Sequence, residues 1–290
     1  MVDRELDSLV RLLDDPDPTV REAVFGRLTE LGTVATVQLR DIINGKGELQ
    51  YDSELHLAAQ DALSEIGMRR MLDGLRKVSE SEADKSGGDD FDLEGATLAV
   101  ALHRYPDLDA KVYRSKLDTM AELLRWRTRE SNVGMEAIRE FRIYLVRQQL
   151  WKGVSQNKYH DPENSCLNSV IDRRRGIPVT MTVVWLLLAQ RLGLPLHGVS
   201  FPVHFLARYK SDDEDFLIDP FNDGVVVTEE QCKTFLQSIG VEFHPGFLEP
   251  VGGRHIVARM LRNLAEIYQE SEPRLALGME EGIRILSEGE

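Results

Sequence analysis

Between 178 and 192 the chain is apolar at nearly every position: Val179, Met181, Val183, Val184, Trp185, Leu186, Leu187 and Leu188. A stretch that is apolar all round the helical period predicts a helix buried on every side. Pro178 suits its first turn, where an N–H would have no partner, and Gly193, with Pro195 beyond, ends it. Ahead of it, helical periodicity covers about 92–104, 109–128 and 133–151. Tyr105-Pro106-Asp107 breaks the first from the second, and Ser131-Asn132 caps the third. A shorter helix, 166–174, leads into the central one. Beyond Gly193 the period shortens, and strands are expected at 196–200, 204–209, 216–219 and 225–227, with an acidic turn at 211–215. Thr228-Glu229-Glu230-Gln231 is a capping box opening a helix that ends at Gly240. Helices over 254–270 and 273–287 close the pattern. Helices flanking a run of short strands predict an α+β fold, with a buried central helix and an antiparallel sheet.

The first eighty residues repeat. A shift of 35 lays Val20 on Leu55, Ala23 on Ala58, Leu28 on Leu63, Leu31 on Ile66 and Gly32 on Gly67. Each copy reads as an amphipathic helix closed by glycine, and Asp14-Asp15-Pro16-Asp17-Pro18 forms a turn before the first. Helix, Asp/Pro turn and Val20-Arg21-Glu22-Ala23 together resemble a HEAT repeat, an antiparallel helix pair that stacks into solenoids. Two such repeats are too few to stand alone, so they are expected to dock on the domain C-terminal to them. Residues 79–90 are acidic and small, which predicts a flexible linker.

Charge narrows the function classes. The 290 residues carry 35 Lys+Arg against 49 Asp+Glu, a formal net charge of −14. That argues against a nucleic-acid or anionic-membrane binder, which gains affinity from basic residues. Two cysteines exclude a disulfide framework and a cysteine-rich zinc site. The charged N-terminal run lacks a signal-peptide core, and the longest apolar run, 183–189, is too short to span a bilayer. A cytoplasmic protein without cofactor or metal is expected.

Three residues have the chemical types of a thiol–imidazole–carboxylate triad: Cys166, His204 and Asp219. His204 and Asp219 straddle the predicted 204–209/216–219 hairpin, and a turn centred between Ser211 and Asp212 sets them directly opposite. A carboxylate on an imidazole is how a general base is oriented. Cys166 falls in the first turn of a helix capped by Asn164 or Ser165, where the dipole lowers a thiol pKa. Against this, Cys166 beside Leu167, Val170 and Ile171 also reads as a small buried hydrophobe. Cys232, on the apolar face of its helix with Phe235, Leu236 and Ile239, reads as core. Arg173-Arg174-Arg175 complements the end of its helix or grips an anion.

Five stretches carry a further likeness: Tyr159-His160-Asp161-Pro162-Glu163-Asn164-Ser165, Arg173-Arg174-Arg175-Gly176-Ile177-Pro178-Val179-Thr180, Arg191-Leu192-Gly193-Leu194-Pro195, Pro202-Val203-His204-Phe205-Leu206 and Ile218-Asp219-Pro220-Phe221. Together they resemble the SirB-type transglutaminase-like family, which usually has glycine where this chain has Val203. The resemblance implies a papain-like α+β domain over 91–250 that includes the N-terminal helices. The HEAT-like module at 1–78 and the 79–90 linker precede it, and a tetratricopeptide-like helical tail at 251–290 comes after it. It also implies a nucleophilic cysteine at the start of the central helix, with the base and its orienter at His204 and Asp219. Pro178 holds that nucleophile position here, and Cys166 lies twelve residues upstream. Two functions stay open. One is a non-catalytic member acting in interaction or regulation, binding another protein through its helical repeats. The other is a cysteine-dependent amide hydrolase or acyltransferase using Cys166, His204 and Asp219.

Overall fold

The Asp/Pro turn at 14–18 nucleates the helix after it. Asp17 accepts a hydrogen bond from the Thr19 N–H at 2.8 Å and Pro18 takes the first helical position, so two of the four orphan N–H groups are dealt with at once. The computed structural model describes residues 2–46, 53–81, 91–129 and 134–288. Most of the expected 79–90 linker and the Ser131-Asn132 cap lie outside the described residues.

Four helices open the chain: α1 (Val2–Val10), α2 (Pro18–Leu31), α3 (Thr33–Ile43) and α4 (Ser53–Ser79). Leu6, Val10, Leu28, Leu39, Ala62 and Ile66 are buried together between them. The repeat predicts a helix end at Gly67, and the structure differs: α4 runs straight through it for 27 residues. Gly67 is needed for a different reason. A Cβ there would sit 2.5 Å from the His103 carbonyl oxygen and 2.9 Å from that of Leu102, so only glycine lets the chain cross at that distance. Beyond this crossing Met68, Met71 and Leu75 of the same helix belong to the main core. Asp107 adds a polar clasp, taking Thr36 and Arg40 of α3 and Arg70 of α4.

Next come α5 (Leu93–Ala101), α6 (Ala110–Thr128) and α7 (Gly134–Arg142), the last continuing as a π-helix over Ile143–Gln148. Asp92 and Asp109 cap α5 and α6 through the N–H groups of Gly95 and Lys111. Two short strands, β1 (Lys152–Gly153) and β2 (Arg175–Gly176), pair in parallel. Between them lie a 3-10 turn (Pro162–Ser165) and α8 (Leu167–Arg173), which stops at Arg174 in the left-handed region, φ 55°.

The central helix α9 (Pro178–Leu192) is buried from Pro178 to Ala189. It packs against α6 and α8, against β3 (Leu196–Val199) and β4 (Leu206–Lys210), and against α11 (Gly253–Tyr268). With β5 (Asp215–Asp219), β6 (Val225–Val227) and β7 (Pro250–Val251) the strands form one antiparallel sheet of order β6-β5-β4-β3-β7. Between β6 and β7, α10 (Glu229–Ser238) starts from the expected box, with Thr228 N–H donating to Gln231 Oε1 at 2.8 Å. The last helix, α12 (Pro273–Ser287), lies on α11 and α4. The architecture is α+β, and the sheet and α9 position the site.

Candidate functional site

His204 and Asp219 do meet, but not as facing residues of a hairpin. β4 and β5 pair Ala207 with Ile218 and Lys210 with Asp215, which centres the turn between Asp212 and Asp213. The expected register is therefore corrected by two residues. A shift of two keeps every side chain on its own face, whereas a shift of one would have turned Asp219 away. His204 precedes β4, in a turn closed by its own N–H on the Phe201 carbonyl at 3.0 Å. Pro202 and Val203 occupy the middle of that turn, Val203 at φ 53°. Proline followed by a residue of positive φ is the pattern of a type II turn, which favours glycine at the second place.

From this turn the imidazole reaches Asp219 Oδ2 at 2.8 Å through Nε2. The carboxylate is held on every side. Oδ1 accepts the backbone N–H groups of Phe221 and Asn222 at 3.1 and 3.0 Å, and Oδ2 also accepts the Asn222 amide at 2.8 Å. Burial alone would raise the Asp219 pKa. The hydrogen bond and charge of His204, with the bonds from Asn222, outweigh it and leave the carboxyl below its ordinary value. An ionised acceptor requires Nε2 to carry a proton, so Nδ1 is the nitrogen left to exchange one with a reacting group. The Phe221 ring stands edge-on to the imidazole, centroids 5.7 Å apart. Asn222 and Phe221 escape the sequence reading as site residues. Their signal is the Asp-Pro-Phe-Asn composition of an Asx turn.

Cys166 is bonded elsewhere. It is the N-cap of α8 rather than a first-turn residue, and its Sγ donates to the Pro162 carbonyl at 3.6 Å. The expectation of a dipole-lowered thiol is overturned. Burial pushes the thiol pKa up to about 12 against the opposing charge of Arg104, because a desolvated thiolate costs more than a short helix returns. Among the described residues no hydrogen bond or ion pair joins Cys166 to His204. Cys232 lies with Val199, Phe201, Leu206 and Leu236 in a small core behind the sheet. Its thiol is also raised, by burial and then by the charges of Asp219 and Glu229. Phe235 and Ile239, expected on the same face, are exposed.

The remaining motif residues brace the start of α9. Thr180 Oγ1 accepts the Ile177 N–H and donates to the Asn164 carbonyl at 2.7 Å. The buried Asn164 in turn donates to the Lys158 carbonyl at 2.6 Å and accepts from Arg173 at 3.3 Å. Arg174 and Arg175 hold the Gln149 and Leu150 carbonyls. The arginine run thus ties three segments together. Among the described residues no group of three His, Cys, Asp or Glu side chains is arranged to hold a metal.

A sequence model of the transglutaminase-like superfamily matches residues 111–262. A UPF0162 protein of Xylella fastidiosa (strain 9a5c) is 36% identical over 182 residues, 61% of this chain and 64% of that protein. One of Vibrio cholerae is 30% identical over 202 residues, 65% of this chain and 72% of that protein. F-box only protein 21 of Mus musculus is 28% identical over 205 residues, 66% of this chain but 30% of that protein. The chain thus spans just under two thirds of the Xylella fastidiosa relative and less than a third of the F-box protein. No solved structure matches it. The superfamily match covers more than half of the residues, including α9, the sheet and the His204–Asp219 pair, and on that ground the chain belongs to the transglutaminase-like superfamily.

Proposed function

We propose that this protein is a SirB-type member of the superfamily that has left thiol catalysis behind and acts by holding a partner protein. The observation that carries this reading is the state of Cys166. The thiolate is the nucleophile, and burial pushes the Cys166 thiol up to about 12, which keeps it protonated near neutral pH. Its Sγ is bonded to a backbone carbonyl instead of an imidazole. At the head of α9, where the resemblance puts a nucleophile, Pro178 has no nucleophilic atom.

The partner role is assigned to the N-terminal helices, read as HEAT-like. They have a core of their own and leave Leu12, Val34, Val37 and Leu57 exposed on their outer faces, which is apolar area available for a protein contact. The hydrolase alternative is decided by alkylation. With iodoacetamide at pH 6–7, Cys166 should react no faster than an ordinary buried thiol. His204→Ala should change that rate by less than about threefold. A selectively reactive Cys166 that is silenced by His204→Ala or Asp219→Asn would instead establish a working triad.

A further inference from the structure

Beside the His204–Asp219 pair, a cavity of about 660 Å³ opens between β1, the 3-10 turn, the end of α8 and the Phe221-Asn222 turn. Its walls carry four cations, Lys152, Lys158, Arg173 and Arg175, against two carboxylates, Asp161 and Asp223. This excess of cations stands out in a chain of net charge −14. Several arginines elsewhere are compensated by carboxylates: Arg208 grips Asp215 with two bonds, Arg191 holds Glu94 and Asp118, and Arg27 holds Glu5 and Glu30. Here only Arg173 has a carboxylate, Glu163 at 3.5 Å. Among the described residues Lys152, Lys158 and Arg175 pair with none. Arg175 is half-buried, and its Nη1 is fixed on the Leu150 and Arg174 carbonyls at 2.6 and 2.9 Å. Its position is therefore set while its charge is left uncompensated. A fixed, partly desolvated guanidinium without a counter-ion is costly unless an anion completes it.

We infer that this cavity is a binding site for a small oxyanion-bearing ligand, a dicarboxylate or a phosphomonoester. The volume falls within the roughly 300–1,000 Å³ of small-molecule sites. Asp161 and Asp223 oppose anything more highly charged, and this sets the site apart from a polyanion groove. Phe221 and Asn222 line the cavity and also touch His204 and Asp219, so an occupant lies one side chain away from the imidazole.

The test is titration of the full chain with succinate and, separately, with phosphoserine, followed by calorimetry and by the ring resonances of His204. Saturable binding of at least one ligand is expected, and which of them binds distinguishes carboxylate from phosphate recognition. Lys152→Gln with Lys158→Gln should weaken it at least about tenfold, and higher salt should weaken it further. Both lysines are exposed, so the fold should survive, with an unchanged Tm as the check. Lys233→Gln, at a lysine paired with Glu229 on α10, should leave binding unaltered. Failure of both ligands to saturate below about 10 mM, or affinity indifferent to the double substitution, would overturn the inference. Neither outcome depends on the state of Cys166, so the result stands apart from the reading of the thiol.

Discussion

Val203 sets the position of His204 by adopting a backbone conformation that its own side chain resists. At φ 53° it turns the chain so that the next residue delivers its Nε2 to Asp219 at 2.8 Å. For an L-residue the left-handed region costs roughly 1–2 kcal/mol, and a β-branched one is least suited to it. The Val203 side chain is 64% exposed, so little packing is lost by removing it. Val203→Gly is therefore expected to raise the unfolding free energy by about 0.5–1 kcal/mol, after allowing for glycine's greater freedom in the unfolded chain. Urea unfolding measures it, and a variant no more stable than the parent would show that the turn carries no strain.

Asp219 anchors the pair, and its replacement should show in the acid limb of stability. Burial raises its pKa, but the bonds from His204 and Asn222 take it below the ordinary carboxylate value. A carboxyl depressed in the folded state contributes stability that is complete above the unfolded value, about pH 4. That stability is lost as the pH falls through the lower folded value. Asp219→Asn is expected to cost about 2 kcal/mol at pH 7, the scale of hydrogen bonds to a buried charge. The gap between variant and parent should then close below pH 4. A gap constant down to pH 2 would mean that Asp219 is not ionised by this pair.

Gly224 and Trp185 fit each other across the site's floor. Gly224 has φ 64°, and a Cβ on it would lie 2.5 Å from Trp185 Cη2. Trp185 is 1% exposed and rests on Phe141, ring centroids 5.6 Å apart. Gly224→Ala is expected to destabilise by about 3 kcal/mol through the combined clash and left-handed strain. Trp185→Ala should cost about 3–5 kcal/mol, the usual range for a buried aromatic. Made together, the two should cost less than their sum, because removing the indole also removes the clash. Strict additivity in a double-mutant cycle would contradict the contact.

How much of this site the sequence reveals depends on the range of each signal. The central helix is legible to the residue because Pro178 and Gly193 bracket an unbroken apolar run, a pattern wholly local to α9. The period of two keeps Asp219 on its face despite a misplaced turn, but it does not reach His204, which a turn ahead of β4 delivers. Cys166 misleads because a helix start is visible in sequence, while the layers that bury it are not. Those layers come from α5, packed on α8, and from α11, packed on the Pro162–Ser165 turn, about a hundred residues further on. Gly67 misleads in the same way, since glycine closes helices and also permits close crossings, and only His103 on the far side decides which. β1, β2 and β7 are two residues each, too short for any period to register.

His103 provides the sharpest test of the packing between α5 and α11. It is buried, its Nδ1 lies 2.6 Å from the Val100 carbonyl and its Nε2 lies 3.0 Å from the Tyr268 hydroxyl. The Nδ1–H therefore donates to the carbonyl and Nε2 accepts from the phenol, a neutral ring with both nitrogens used. Burial pushes its pKa down to about 4, helped by the charge of Arg104 and opposed by the Val100 carbonyl. The unfolded chain takes up this proton first, near pH 6.5, so the folded state loses ground steadily from pH 6.5 to pH 4. The depression corresponds to roughly 3 kcal/mol over that window. His103→Gln keeps a donor and an acceptor but cannot titrate. The variant should be less stable than the parent at pH 7, and the difference should shrink toward pH 4 as the parent weakens. Unfolding free energies measured at pH 7, 5.5 and 4 give the comparison. Parallel pH profiles for the two proteins would mean that His103 is already accessible to protons, and the contact between α5 and Tyr268 would have to be looser than the structure has it.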